Sequence, residues 1–251
     1  MMNTITLIAR KEGGELLNSG RGLAWLLALS VIMSVLSLLL VSNTELSLLD
    51  NAQVVYMVMG TVTALGALLA VVLGSDAVAG ERERGSLMPL LLAPVTPSQI
   101  VFGKMGGQVA GWFVMYLLSL PYVWAVGSSG QNLAQAVAYL ALFGTPVVLG
   151  FGFLGIALSA SLRSVRSALF TSLITLMLLA SPLLLGPSLR QSSIGKLFDA
   201  VNPFSAAVNT FDSVVIDSQP LSMQMSRLAI TLFWLVLTAV FAIRSVRKME
   251  I

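Results

Sequence analysis

Six stretches of the chain are almost free of charged residues and are long enough to cross a lipid bilayer as helices. An α-helix rises about 1.5 Å per residue, so about 20 residues cross a hydrocarbon layer of about 30 Å. Helices are favoured because the hydrocarbon offers the backbone no hydrogen-bond partners, and the stretches lack the alternation of β-barrel strands. The sequence therefore predicts an all-α integral membrane protein, a single transmembrane domain over residues 1–251. Its six transmembrane helices are expected at 22–41, 54–74, 100–126, 133–158, 168–185 and 228–243.

The composition supports a membrane location. Hydrophobic residues make up 57% of the sequence, charged residues 10%, and the mean hydropathy is +0.91, whereas an ordinary soluble domain is about 25% charged. These values exclude a water-soluble globule, a disordered chain and a nucleic-acid-binding domain, so no nucleic acid is expected as a partner. Six long apolar stretches disfavour the alternative of buried helices in a soluble protein. The absence of cysteine and histidine from the sequence excludes disulfides, Cys/His zinc sites and imidazole catalysis.

The positively charged residues are distributed unevenly between the predicted loops. If both termini are cytoplasmic, every lysine and arginine lies on the cytoplasmic side except Arg190, Lys196 and Arg227. Cytoplasmic loops of membrane proteins carry such an excess of Lys and Arg, so we expect the N-in/C-in orientation. The first apolar stretch is too long for the core of a secretory signal and is expected to remain as a span.

Two segments outside the spans have helical patterns of their own. Residues 4–17 interleave apolar and charged side chains and predict an N-terminal amphipathic helix along the inner leaflet. The outer segment 186–227 contains two weaker amphipathic pieces, the second opened by Asn202 as N-cap and Pro203 at the first helical position. We expect short helices at the outer membrane surface or partly inserted in it, with a disordered loop as the alternative.

The stretch between the second and third spans, residues 75–104, is the most informative part of the sequence. A charged turn, residues 81–84, is followed by Gly85 and by Ser86, which can cap a new helix. That helix is short because Pro94 ends it. Its apolar face is expected to consist of Leu87, Leu90 and Leu91.

The third span then begins at its own start signal. Thr96 is expected as N-cap, Pro97 at the first helical position and Gln99 as the reciprocal member of a capping box. The order of span, charged turn, short helix, proline break and span predicts a rigid, partly apolar knob presented to a cytoplasmic partner. The alternative is a solvated turn in which Glu81 pairs with Arg84.

The motifs of an energy-converting enzyme are missing. Gly103-Lys104 is followed by Met105 and has no upstream glycine of a P-loop, and we interpret Gly106 and Gly107 as small residues for helix packing. The spans contain no charged residue except Lys104, at the mouth of the third, which argues against an ion-coupled carrier and an intramembrane hydrolase. No catalytic or metal-binding residue is predicted, and the energy source must be another chain. A glycine-rich fourth span is expected to pack closely on its neighbours.

This layout resembles the permease subunits of the ABC transporter type-2 family. Their shared feature is a Glu-x-Glu-x-Gly-Thr box, then leucines, a proline, and a lysine that opens the third helix. The chain reads Glu81-Arg82-Glu83-Arg84-Gly85-Ser86, then Leu90-Leu91-Leu92, Pro94 and Lys104, with Ser in place of the commoner Thr. We call residues 81–86 the glutamate box. Residues 8–12 and Asn202-Pro203 are also similar to the family.

The resemblance implies the transmembrane permease subunit of an ATP-driven ABC exporter in the cytoplasmic (inner) membrane of a prokaryote. Two permease copies would pair as a homodimer above a cytoplasmic ABC ATPase dimer, which would bind ATP and Mg, so that no cofactor is bound directly by this chain. The short helix after the box would be the coupling helix. The ATPase-coupling contacts would be Glu81, Glu83, Gly85, Ser86, Leu87, Leu90, Leu91 and Pro94, with a second contact at Arg163 and Arg166.

A second class of function remains open beside the exporter. The chain would then be a membrane scaffold that transmits the strokes of the ATPase to an extracytoplasmic accessory protein and moves no solute. Some members of the family serve in this way in the maturation of a periplasmic metalloenzyme. The long outer segment would be the docking surface, and ATP-dependent flux of a solute would separate the two functions.

Overall fold

The computed structural model describes residues 4–18, 20–42, 51–127, 133–184, 192–216 and 219–249. These residues form helices and connecting turns and contain no strand, so the all-α prediction is confirmed for them. The helices are α1 (Thr4–Asn18), α2 (Gly20–Ser42), α3 (Asn51–Asp76), α4 (Ala79–Glu83), α5 (Leu87–Leu92), α6 (Pro97–Gly127), α7 (Leu133–Tyr139), α8 (Thr145–Ser161), α9 (Val165–Leu184), α10 (Ser193–Val201), α11 (Pro203–Phe211) and α12 (Met225–Arg247). Residues 43–50, 128–132 and 185–191, where loops are predicted, lie outside the described residues.

Four helical stretches in the described part of the chain are long and apolar enough to cross a membrane. They are Val54–Glu83, Pro97–Ala125, Leu133–Ser161 and Leu221–Arg247. Two further apolar helical stretches are shorter: Ala24–Leu39 lies within the first predicted span, and Val165–Ser181 overlaps the fifth. The structure therefore has the helices of an integral membrane protein, while the number of six crossings and their orientation stay predictions.

Helix α8 forms the centre of the bundle, between α3 and α12. Its glycines allow this position, because a Cβ atom on Gly155 would lie 2.9 Å from the Cα of Gly74 on α3. A Cβ on Gly150 would lie 2.6 Å from the indole of Trp234 on α12. The predicted close packing of this glycine-rich span is confirmed, since any side chain at these points would push the helices apart.

A π-helical turn, Leu140–Gly144, joins α7 to α8 in one continuous rod. Pro146 follows directly, as the second residue of α8. Proline has no N–H to donate and its ring crowds the carbonyl four residues earlier, so a helix that contains it must widen or bend. The π turn supplies that adjustment, and Phe143 within it is fully buried.

The segment before the last helix folds into two short helices, each with a side-chain cap. The Ser192 hydroxyl accepts from Gly195 N at 3.1 Å, and the Asn202 side chain accepts from Phe204 N at 2.9 Å. The predicted Asn202 cap is thereby confirmed, and a disordered loop is wrong for residues 192–216. Helix α11 does not lie on the surface of the bundle, because almost all its residues are buried, including Phe211. The position of this segment at the outer membrane surface or partly inserted in it stays a prediction.

Candidate functional site

The glutamate box ends helix α4 with a complete C-terminal cap. Gly85 has φ 73°, and its N–H donates to Arg82 O at 3.1 Å, while Ser86 N donates to Glu81 O at 2.9 Å. These two bonds form a Schellman motif, which needs a left-handed residue at Gly85. The box therefore folds back on α4 and sets the direction in which α5 leaves it.

The predicted role of Ser86 as side-chain cap of α5 is wrong. Its hydroxyl donates back to Glu81 O at 3.3 Å, and its backbone has φ −89° and ψ −3°, a helical conformation. An N-cap side chain needs an extended backbone to reach the amides ahead of it. Ser86 closes the preceding helix instead of opening the next one.

Glu81 is buried, and its side chain joins three separate helices. Its Oε1 lies 2.9 Å from the Nζ of Lys104 on α6, which in turn lies 3.2 Å from Glu12 Oε1 on α1. The Lys104 side chain is 1% exposed. The alternative of a solvated Glu81–Arg84 pair is wrong, because Arg84 pairs with Asp76 at 3.2 Å. A buried ammonium between two carboxylates ties α1, α4 and α6 together at one point.

Arg82 holds the carboxyl end of α8. Its Nη1 donates to Leu162 O at 2.7 Å, and its Nη2 donates to Ala160 O at 3.3 Å. The same Nη2 contacts Met249 Sδ at 3.2 Å, just beyond α12. A guanidinium is well suited to carbonyls at a helix C-terminus, where the partial charge is negative.

Glu83 holds the amino end of α9. Its Oε1 accepts a hydrogen bond from Val165 N at 2.9 Å, where a carboxylate meets the positive end of the helix. Arg163 and Arg166 flank this bond and are exposed. The structure thus brings the two predicted contact regions, the box and the α8–α9 turn, into direct contact.

Ser159 is a further member of the site that sequence reasoning missed. Its buried hydroxyl accepts from Val78 N at 3.1 Å and Ala79 N at 2.8 Å, and donates to Ser75 O at 2.7 Å. The side chain therefore fastens α8 to the turn between α3 and α4. A single serine near the end of an apolar helix carries no sequence signal for such contacts, which join residues about 80 positions apart.

Helix α5 presents a different face from the one predicted. Leu87 is buried against Val78 and Ile100, whereas Met88 is 68% and Leu92 83% exposed. Met88 and Leu92 are four residues apart and share one side of the helix. Leu87 therefore packs within the chain, and its contact with a partner stays a prediction. The side chains of residues 90–91 lie outside the described residues.

The end of α5 and the start of α6 follow the predictions. The helix stops at Leu92, because Ala93 before Pro94 is extended with ψ 150°. Thr96 N donates to Gln99 Oε1 at 2.8 Å and Gln99 N donates to Thr96 Oγ1 at 3.3 Å, the two bonds of a capping box. These signals fix the short connection that mounts α5 on α6.

Helix α1 packs against the glycines of α6. A Cβ on Gly103 would lie 2.6 Å from Ile8 Cβ, and one on Gly107 would lie 2.8 Å from Glu12 Cβ. The prediction that Gly106 and Gly107 serve helix packing is confirmed, since both face α1, Gly106 against Ala9 and Gly107 against Glu12. Helix α1 spans Thr4–Asn18, as expected for residues 4–17.

Comparisons with known proteins agree with this geometry. The family model described as ABC-2 family transporter protein matches residues 7–251. A probable ABC transporter permease protein NosY from Stutzerimonas stutzeri is 34% identical over 112 residues, which cover 43% of this chain and 39% of that protein. A protein of the same name from Pseudomonas aeruginosa is 28% identical over 178 residues, 65% of this chain and 61% of that protein.

The matched regions thus span less than two thirds of the length of these two relatives. The family match nevertheless covers nearly the whole chain and fits the apolar helices of a membrane protein. The chain belongs to the ABC-2 family of transporter proteins and has the helices of a multi-pass membrane protein.

Proposed function

We propose that this chain is the membrane subunit of an ABC exporter in the inner membrane of a prokaryote, driven by separate cytoplasmic ATPase subunits. In this proposal two copies form a homodimer, each with six spans and both termini in the cytoplasm. ATP and Mg are bound by the ATPase, and α5 is the coupling helix that receives its motion. The family and the relatives named as probable permeases support this assignment.

The observation that carries the proposal is the way α5 is mounted. Three of the four charges of the box bind other helices, Glu81 to Lys104, Arg82 to the end of α8 and Glu83 to the start of α9. The apolar side chains of Met88 and Leu92 are turned outward. This is the reverse of an ordinary surface helix, and it makes an apolar projection on a rigid base.

The contact with the ATPase would therefore be apolar at its centre and charged at its edge. Burying one such side chain in a groove contributes about 1.5–3 kcal/mol of hydrophobic free energy. Arg163 and Arg166 are exposed beside the box and favour an acidic rim on the partner. The box itself would serve as the mounting of the coupling helix and not as its contact surface.

Two sets of contacts would transmit a displacement of α5 to the rest of the bundle. The Glu81–Lys104 ion pair connects α4 to α6 and α1, and the hydrogen bonds of Arg82 and Glu83 connect it to both sides of the α8–α9 turn. Nucleotide can drive the permease only if the closed ATPase dimer binds one permease conformation better than the other. A rigid mount is what converts that difference into movement of the spans.

The proposal is tested by placing a charge on the outward face of α5. Met88→Asp should abolish co-purification of the ATPase subunit, because the carboxylate would have to be desolvated in an apolar groove. Met223→Asp is the matched control, since Met223 precedes α12 and is also 68% exposed. Both variants should insert in the membrane at the wild-type level, measured by membrane fractionation.

Loss of the ATPase from Met88→Asp alone supports α5 as the coupling helix. Equal recovery of the ATPase with Met88→Asp, Met223→Asp and the wild type would overturn that assignment. Loss of the ATPase from both Met88→Asp and Met223→Asp would indicate a general defect. That result would also contradict a contact confined to α5.

Work on an extracytoplasmic partner is the second candidate function. The observation that favours it is α10, which leaves Leu197 68% and Val201 62% exposed on one side of a short, well-capped helix. ATP-dependent uptake into inverted vesicles distinguishes the two functions. An exporter should accumulate a solute, whereas a scaffold should hydrolyse ATP without accumulation.

A further inference from the structure

Helix α12 has one side packed in the bundle and one side exposed. The packed side contacts α8 and holds the buried residues Thr238, Ala242 and Ser245. The exposed side carries five apolar residues whose exposed fractions run from 40% to 68%: Phe233, Val236, Leu237, Val240 and Phe241. We call these five residues the α12 stripe. Their spacing of three and four positions places them on one face of the helix.

The α12 stripe ends in three positively charged residues. Arg244 follows Phe241 by three positions, and Arg247 and Lys248 follow Arg244 by three and four positions. All three are exposed. At about 100° per residue, they and the stripe fall within about 140° of the helix circumference. One face of α12 is therefore apolar along most of its length and cationic at its carboxyl end.

These three cations have no acidic partner among the described residues. Elsewhere in the chain, Lys104 and Arg84 lie 2.9 Å and 3.2 Å from carboxylate oxygens. Residues 225–249 contain no Asp or Glu, and no described carboxylate forms an ion pair with the cations of this helix end. Glu250 lies outside the described residues and would offset at most one of the three charges. The end of α12 therefore keeps an excess of positive charge.

The length of the stripe fits one leaflet of a bilayer. The 11 positions from Phe233 to Arg244 rise about 16 Å along the helix. Half of a hydrocarbon layer of about 30 Å is about 15 Å. An acyl chain that lies along the stripe therefore brings its headgroup to the level of Arg244. A guanidinium can bind a phosphate through two parallel hydrogen bonds, and its long stem reaches from an apolar surface to the headgroups.

We propose that this face of α12 binds an anionic membrane lipid, with the phosphate on Arg244, Arg247 and Lys248 and an acyl chain along the α12 stripe. The excess charge favours an anionic headgroup over a zwitterionic one, whose own cation would meet three others. An acidic surface of the ATPase would match the cations but would leave the stripe without a partner. The site goes beyond the proposed function, because it requires neither transport nor an ATPase.

The test uses the full-length chain in nanodiscs that contain equal amounts of phosphatidylglycerol and phosphatidylcholine. Native mass spectrometry after release counts the lipids of each kind retained on the chain. The wild type should retain phosphatidylglycerol at least about tenfold better, since each Lys or Arg near an anionic membrane surface favours binding about fivefold.

Two double variants remove the same charge from different surroundings. Arg244→Gln with Arg247→Gln should lower the preference for phosphatidylglycerol at least about fivefold, because it removes both guanidinium groups from the site. Lys11→Gln with Arg84→Gln is the control, since these cations lie 3.8 Å and 3.2 Å from carboxylates and outside α12. Arg244→Lys with Arg247→Lys keeps the charges and should keep most of the preference.

Loss of the preference from the Gln variant of α12, but not from the control, supports the lipid site. Equal retention of the two lipids by the wild type overturns it, and so does an unchanged preference in the Gln variant. An equal loss in the control would assign the preference to net charge and would also overturn the site. Co-purification tests the ATPase: a Gln variant that loses the ATPase but keeps the lipid preference would assign the cations to that subunit instead.

Discussion

Helices α5 and α11 are both short, apolar and bordered by prolines, yet the structure uses them in opposite ways. Helix α11 turns Phe204 and Phe211 into the bundle and is buried along almost its whole length. Helix α5 buries Leu87 and turns Met88 and Leu92 outward, and the box before it is held by ion pairs and helix-end contacts. The comparison teaches that polar contacts can mount an apolar helix firmly enough to leave its apolar face free for a partner.

The largest effect should come from the buried helix. Phe211→Ala should lower the free energy of unfolding by about 3–5 kcal/mol, because it leaves a cavity under α11. Leu92→Ala on α5 should change it by less than about 0.5 kcal/mol, since Leu92 is exposed. Equilibrium unfolding in mixed detergent–lipid micelles measures both, and similar losses from the two variants would contradict the contrast.

The ion pairs of the mount should come next. Lys104→Met should cost about 3 kcal/mol, because it leaves the buried Glu81 and the partly buried Glu12 without their ammonium. Adding Glu81→Gln to this variant should restore part of the loss. Arg84→Met is the control: it breaks a pair whose side chains are 53% and 43% exposed, so its cost should stay below about 1 kcal/mol. The same unfolding measurement applies, and additive single effects would argue against a coupled cluster.

The helix caps give a smaller, graded effect. Asn202→Ala should cost about 1–2 kcal/mol, since it removes the cap of α11 together with the 2.6 Å hydrogen bond from Nδ2 to Leu179 O. Thr96→Ala should cost about 0.5–1 kcal/mol, because its cap is exposed and makes no contact of that kind. A larger loss at Thr96, measured by thermal unfolding in detergent, would reverse the comparison.

The smallest effect concerns the turn that aims α5. Gly85→Ala should lower stability by about 1 kcal/mol, because an L-residue is strained at φ 73°. Gly14→Ala is the opposite control within helix α1, where a Cβ meets nothing within 4 Å, and it should raise stability by up to about 1 kcal/mol. Thermal unfolding should therefore move in opposite directions for the two variants.

The parts of the structure that follow local rules could be predicted from the sequence. The caps at Thr96 and Asn202 and the helix stop before Pro94 all depend on residues within a few positions. The outward face of α5 could not be predicted, because its sequence LMPLLL contains no polar residue to mark a side. That face is chosen by contacts of Leu87 with distant helices.

The partners of the charged residues could not be predicted from the sequence either. Glu81 was weighed as a partner of Arg84, three positions away, but binds Lys104, which also binds Glu12 at a separation of 92 positions. Local spacing favours neighbours on one helix face, and tertiary packing overrides that preference when an ammonium is buried. Ser159, which has no charge and no motif, gave no signal at all.

The docking of α1 on the glycines of α6 has a consequence for biosynthesis. Glu12 meets Lys104 across 92 positions of chain, and translation adds about 5–20 residues per second. The N-terminal helix is therefore synthesised several seconds before the glycine face of α6. During this interval the apolar side of α1 can contact only lipid, a chaperone or the parts of the chain already made. Helix α1 can therefore take its final place only after α6 has been synthesised.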